Sequence, residues 1–470
     1  MVLLVAMLSL GGLCSANADP GPAENVHLAR PGAVSEPEIL PASGVATDSR
    51  LDSAPAAPAP ANGATVGPVA AAGADDTALL DELGALIEQE YVRPIPRDEL
   101  RGAARRVLAG TLDPYSKVLD PAASTELDTF ITGTFAGIGV RLDFDSASAS
   151  YRVTGLFSDS PALRADLRLN DILLAIDGRP VAGRSMDEVV GALHGPSGSV
   201  VELTLRRAGA PADRRLSMKR KIIPSPTVRG LRRSSTGKWE YLTPDRSGVA
   251  YIRIEHFAEN TPAELDRALT AIRRAGATAL VLDLRVNPGG LVKAAIAVAD
   301  RFLDAGTIFT FKHRNSLEVF SAHPGVGTRL PMAVLVDGYT QSVAELVSAS
   351  LQDNNRAAVI GARSWGKGHG QQLFRLSGGR GVLKLSTFAF ARPSGRPMER
   401  HFADLDPTLG GVWPDSGLAV ELSPEEYDRW QSGLFALDDL MPLATGQRPA
   451  PSADRVLDSA VAMLRARVSQ

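Results

Sequence analysis

The sequence predicts a multidomain protein of mixed α/β and β class: an N-terminal helical segment, an inserted β-rich domain and a mostly parallel βαβ core. Three observations carry this. Apolar residues recur at helical spacing between positions 76 and 112. Short alternating runs separated by turn signals fill 134–219. From Val249 onward strands and helices alternate, the order of a largely parallel sheet with helices on its faces. The chain has 470 residues, 44% of them hydrophobic, with mean hydropathy of −0.01, enough material for two or three soluble cores. A net charge of −3 gives no electrostatic argument for nucleic acid or an anionic membrane. No phosphate-binding loop of the Walker type and no dinucleotide fingerprint is present.

In chain order, Val2 to Leu13 is an apolar run followed by Ala16-Asn17-Ala18. This pattern predicts a signal peptide over 1–18, cleaved before Asp19, and export, with the bacterial periplasm as the expected compartment. The run is too short for a membrane span. Cys14 is the only cysteine, and Leu13 before it fits a lipid-attachment site poorly. Cleavage would leave no disulfide, no thiol nucleophile and no thiolate metal site. Residues 19–75 are rich in Ala, Pro, Gly and Ser and are expected to form a disordered tether. Helices are expected over Asp76–Glu90 and Arg97–Leu112, within a helical segment at 76–130 that includes Leu112-Asp113-Pro114-Tyr115-Ser116.

Residues 131–220 read as one small domain. Phe135-Ala136-Gly137-Ile138-Gly139-Val140 opens it. A strand at Tyr151–Thr154 follows, then Ser160-Pro161, a helix cap with proline at the first position. Asp171–Gly178 is a strand entering a turn, Ser185-x-x-Glu188 is a capping box, and Val200–Leu205 is the last alternating strand. This order resembles a PDZ domain. The resemblance makes Gly137, Ile138, Gly139 and Val140 the loop that offers backbone amides to a peptide carboxylate.

Residues 221–440 form the expected core. Val249–His256 is a strand, and Thr261-Pro262 starts a helix that runs to about Arg274. The buried strand Ala279–Leu284 leads through the tight turn Asn287-Pro288-Gly289-Gly290 into a helix at Leu291–Leu303. A second buried strand, Pro331–Val336, leads through Gly338-Tyr339-Thr340-Gln341 to Ser342, which heads a helix to about Gln352. Ala358–Ile360 is a third strand, and 441–470 is a helical tail whose periodicity is clearest over Ala453–Arg467. That last helix is expected to pack either on the core or on another subunit.

Ligands in open α/β sheets bind at the carboxyl ends of the strands, where both strand-to-helix turns fall. Ser342 at a helix N-terminus is expected as nucleophile. The N–H of Val343, with that of Gly289 or Gly290, would stabilise an oxyanion. Lys367 follows in Trp365-Gly366-Lys367-Gly368, in a chain with eight lysines against 42 arginines. Arginine cannot serve as a base, so a lysine retained in this loop points to proton transfer. Burial would make it neutral, with Trp365 as a wall, and the Gln371 carbonyl would aim the amine.

These motifs together resemble the C-terminal processing (tail-specific) proteases, a Ser/Lys endopeptidase family with an inserted PDZ domain. The likeness spans roughly Leu79 to Ser423. It includes Leu112–Ser116, Asp283–Gly290, Ser342, Gln352-Asp353, Gly366-Lys367-Gly368, Gln371 and Pro393-Ser394-Gly395-Arg396. It implies Ser342 as nucleophile, Lys367 as general base and Gln371 as orienting residue. It also implies protein or peptide substrates with accessible C-termini, captured partly by the PDZ domain. No cofactor or metal is expected, and an adaptor protein and a homo-oligomer are left open. The chain departs from the family around Ser342, at Val286 where asparagine is usual, and at His369 where a small residue is usual. Three rivals are weighed. One is a catalytically silent PDZ-type binding module, another a Ser/His/Asp hydrolase using His369, and the third a metalloprotease. The last lacks a His-Glu-x-x-His helix.

Overall fold

A computed structural model describes residues 97–437 and 453–468, apart from positions 147, 158–159, 235–237, 246, 326, 401–405 and 407–408, together with residues 83, 85 and 87. The expected signal peptide, the tether and most of the Asp76–Glu90 helix lie outside the described residues. The chain divides into two compact units near residue 102. Of the N-terminal unit the described residues are 83, 85 and 87, all helical, and the opening of the helix Arg97–Gly110. The β-rich domain and the core both belong to the C-terminal unit.

The strands Ala279–Asp283 and Met332–Val336 are buried at every position and, Asp283 apart, apolar. A strand covered on both faces must be central. The core sheet accordingly runs in the order Val228–Arg229, Val249–Ile254, Ala279–Asp283, Met332–Val336, Ala358–Gly361. The last four are parallel and the first is antiparallel to its neighbour. Alternation along the strands divides the packing. Leu280, Leu282, Met332 and Val334 pack with the helices Thr261–Arg274, Val292–Asp300 and Val343–Asp353. Ala279, Val281, Ala333 and Leu335 face Val456, Ala460 and Leu464 of the helix Arg455–Val468. The C-terminal helix therefore covers the second face of its own sheet. Burial of Val456 and Leu464 contributes roughly 1.5–3 kcal/mol each. The cap of the Thr261–Arg274 helix is Asn260, one residue earlier than expected.

The β-rich domain has its own core, built on Leu142, Val153, Leu173, Ile176, Val189 and Leu203. Its sheet runs Val140–Asp145, Ser150–Leu156, Ile172–Ile176, Val200–Arg206, Arg214–Lys219. The Ser185–Glu188 capping box is present at the helix Met186–Leu193. Thr134–Gly137 pairs antiparallel with Lys221–Pro224, so the two ends of the insert leave side by side.

A second, antiparallel sheet was not legible in the sequence. It orders Lys117–Leu119, Val382–Ala391, Thr307–His313 and Leu317–Ser321, with His369–Arg375 also pairing with Val382–Ala391. Lys117 and its partner Lys384 are remote in the chain, and local periodicity carries no signal for such a pairing. This sheet delivers the Leu112–Ser116 segment to the site.

Candidate active site

The strands Ala279–Asp283 and Met332–Val336 are neighbours, so the turns that follow them meet. Thr340 Oγ1 donates to the Leu284 carbonyl at 2.9 Å, and Gln341 N–H donates to the Asn287 carbonyl at 2.8 Å. Val286 N–H donates to Asp337 Oδ1 at 3.0 Å. Asn287, fully buried, donates to the Ile254 carbonyl and accepts the Gly289 N–H, both at 2.8 Å. Gly289 has φ +97°, and a Cβ there would stand 2.9 Å from Ser342 Cβ and 3.3 Å from Ser342 Oγ. The turn thus touches the serine through a glycine that no other residue can replace without displacing it. Of the three amides expected at an oxyanion, that of Gly289 is occupied by Asn287. Those of Gly290 and Val343 have no hydrogen-bond partner among the described residues.

Val286 adopts φ +60° in this turn, a left-handed conformation that a β-branched residue resists. Asparagine tolerates it, and asparagine is the residue usual in the resembled family. Val286→Asn is expected to stabilise the protein by about 1 kcal/mol. Chemical denaturation checks this, and an unchanged or lower midpoint would refute it.

Ser342 also has positive φ, 58°, with ψ −124°. This strained junction between strand and helix projects its side chain from a sharp elbow. The residue is 8% exposed. Its N–H donates to Glu345 Oε2 at 2.7 Å. Glu345 has no exposed surface and accepts three further bonds. Lys367 N–H reaches Oε2 at 2.9 Å, while Gly366 N–H and Ser364 Oγ reach Oε1 at 2.6 and 2.5 Å. Burial pushes the Glu345 carboxyl up to about 7, against the pull of these donors.

Lys367 is lowered to about 7, first by burial and then by the charge of Lys384. Its Nζ stands 4.8 Å from the centre of the Tyr115 ring. Gln371 donates Nε2 to the His369 carbonyl at 3.0 Å and to Ser386 Oγ at 3.2 Å. Among the described residues no hydrogen bond joins Ser342 Oγ, Lys367 Nζ and Gln371 to one another. Trp365 N–H donates to the Thr340 carbonyl at 3.0 Å, which ties the lysine loop to the serine turn. His369 pairs with Glu399 at 2.6 Å, and among the described residues it has no bond to Ser342.

Sequence reasoning gave no role to Glu345, Asp113, Tyr115, Ser386 or Lys384. Glu345 had a signal, since Ser342-x-x-Glu345 is a capping-box spacing. Asp113 accepts from Tyr115 N–H and Ser116 N–H at 2.7 Å each, and Ser386 Oγ donates to it at 3.2 Å. The buried Arg392 pairs with Asp353, which anchors the end of the Ser342 helix to the Pro393–Gly395 turn.

In the β-rich domain Ile138 is buried. The carbonyls of Ile138 and Gly139 accept from Ala162 and Phe157. The N–H groups of Ile138 and Gly139 have no partner among the described residues. Val140 starts an edge strand. Among the described residues no cluster of His, Cys, Asp and Glu could hold a metal, and no helix is long and apolar enough to cross a membrane.

Residues 248–416 match the model of peptidase family S41, and 152–207 match that of a PDZ domain. A carboxyl-terminal-processing protease of Synechocystis is 33% identical over 63% of this chain and 68% of its own length. A carboxy-terminal-processing protease of Bartonella bacilliformis is 31% identical over 73% of this chain and 74% of its own. The solved photosystem II D1 C-terminal processing protease aligns with 75% of this chain and 94% of its own at 25% identity, with a TM-score of 0.41, too loose a likeness to bear on the assignment. On the identity and coverage of the two sequence relatives, the chain belongs to peptidase family S41, as a serine peptidase that carries a PDZ domain.

Proposed function

We propose that the protein is an endopeptidase that cleaves proteins near their C-termini with a Ser342–Lys367 dyad. The observation that carries this reading is the shared carboxylate. The backbone N–H groups of Ser342 and Lys367 end on the same oxygen of buried Glu345, at 2.7 and 2.9 Å. Neutral Lys367 takes the proton as Ser342 Oγ attacks the scissile carbonyl, then gives it to the leaving amine. Water hydrolyses the acyl-enzyme by the same relay. The amides of Val343 and Gly290 receive the oxyanion at the head of the Val343–Asp353 helix, where the dipole favours negative charge. Gln371 orients the lysine through its carbonyl oxygen once the amine leaves the Tyr115 ring.

The PDZ domain captures the substrate's tail. Its carboxylate takes the amides of Ile138 and Gly139 in the Gly137–Val140 loop, and its backbone extends the sheet beside Val140–Asp145. The domain bounds proposed with this division of labour are 131–220 for tail capture and 221–440 for cleavage, flanked by a helical segment at 76–130 and a tail at 441–470. Export to a bacterial periplasm is proposed from the apolar Val2–Leu13 run and the Ala16-Asn17-Ala18 site.

The two ends of the insert pair as strands, so a short Gly/Ser linker can replace residues 138–220. On an unfolded protein with a free C-terminus, this variant is expected to show a KM raised about tenfold or more, the loss of one modest peptide contact. Turnover of short peptides should persist. Unchanged KM on tailed substrates would refute tail capture. If the intact chain binds tails and cuts nothing, with mass spectrometry as the readout, the chain is a silent binding module instead.

A further inference from the structure

Lysine is scarce in this chain, yet three of its eight lysines gather at the site. Lys384 lies on the strand Val382–Ala391 and pairs with Lys117 across the sheet. Two residues on, Ser386 accepts from Gln371 and donates to Asp113. Alternate residues share a strand face, so Lys384 points to the side where Gln371, Asp113 and Lys367 converge. Among the described residues no ion pair joins Lys384 to a carboxylate. A partly buried cation without a carboxylate partner is costly, and structure alone gives no reason for it. The charge of Asp113 reaches Lys384 and raises it, but without an ion pair, and Asp113 is already engaged by Ser116, Tyr115 and Ser386.

We propose that Lys384 is a positioning residue for the general base: its ammonium, on the strand face it shares with Ser386 and so with the Gln371–Ser386–Asp113 network, keeps Lys367 in the neutral form that accepts the Ser342 proton. The inference rests on Lys367 being the base. A second cation is a known way to lower the proton affinity of a lysine. The carboxylates around Lys367 act in the opposite sense. They are Glu345 on the Ser342 helix, Glu399 on the turn after the Val382–Ala391 strand, and Asp113 on the Leu112–Ser116 segment. His369, raised by its bond to Glu399, is a second cation that Lys367 feels. Glu399 is also engaged by His369 and Gly368 N–H, and the Tyr115 ring favours the ammonium form. Lys117 faces Lys384 and lowers it in turn, after burial. Of the influences that shift Lys367 most, burial and Lys384 are the ones that favour neutrality.

The test is the pH dependence of kcat/KM on an unfolded protein for the full chain and for Lys384→Met, Lys384→Gln, Lys384→Arg and Lys367→Ala. Both neutral variants are expected to move the acid limb upward by about one pH unit. They should lose roughly fivefold in activity at pH 7, approaching tenfold below it, and recover toward the parent rate at pH 9. Lys384→Arg keeps the limb in place. A limb that does not move in Lys384→Gln, or a loss that is equal at every pH, overturns the proposal and leaves Lys384 a structural residue. Lys384→Gln, which keeps a polar side chain, serves where the methionine variant fails to fold. If Lys367→Ala retains parent activity with the limb intact, the base assignment itself fails, whatever the Lys384 variants do.

Discussion

Ser342→Ala and Lys367→Ala are each expected to lower kcat/KM on an unfolded protein about ten-thousandfold or more, with the fold intact. The serine heads a helix buried from Val343 to Leu351, and the elbow hangs on the Ser342 N–H and Glu345, while its Oγ stands in the capping box at the head of that helix. On the dyad reading alanine removes the nucleophile and one cap contact, worth about 1 kcal/mol. Lys367→Arg should be as inactive as Lys367→Ala, because a guanidinium stays protonated and cannot accept the serine proton. The pH dependence follows from the same group. Burial and Lys384 lower Lys367 to about 7, and only the neutral amine is a base. Activity should therefore be near its plateau above pH 8 and fall about tenfold per pH unit below 7. A double variant that loses no more than either single variant would mark the two as one unit. Parent-level cleavage by Lys367→Ala would end the dyad reading while leaving the family assignment untouched.

Glu345→Gln is expected to cost about 2–4 kcal/mol of stability and to lower kcat about a hundredfold, with KM little changed. The carboxylate receives four donors: Ser342 N–H, Lys367 N–H, Gly366 N–H and Ser364 Oγ. A glutamine has one acceptor oxygen and turns an NH₂ toward at least one donor pair. Two backbone N–H groups or a hydroxyl and an N–H then lie buried opposite another donor. The elbow and the lysine loop lose their common anchor, and the Ser342–Lys367 distance is no longer set. Thermal melts and steady-state kinetics separate the two effects. A variant with parent kcat would show that Glu345 holds the fold but not the dyad.

Much of this architecture was legible in the chain. Apart from Asp283, Ala279–Leu284 and Pro331–Val336 are apolar, a run that suits a central parallel strand, so the core sheet and the position of both turns followed. Ser185-x-x-Glu188 announced its helix because a capping box is a local hydrogen-bond pattern. Ser342, Lys367 and Gln371 stood out by chemistry and spacing. Val286 was visible as a departure, but its cost was not, because only the backbone angle reveals that a β-branched residue sits in the left-handed region.

By itself the sequence determined whatever depends on neighbours in the chain: periodicity, caps, turns, and the family motifs. The antiparallel sheet was decided by tertiary structure, because Lys117 meets Lys384 across 267 positions and no local pattern encodes such a pairing. The same distance hid Tyr115 and Lys384 from the site they flank. It hid the double use of Glu345 as well, whose spacing shows a cap for its own helix but not the Ser364–Lys367 loop that folds onto both oxygens of the same carboxylate. The proton affinity of Lys367 was decided there too, since burial and a neighbouring charge are properties of what surrounds a residue in space.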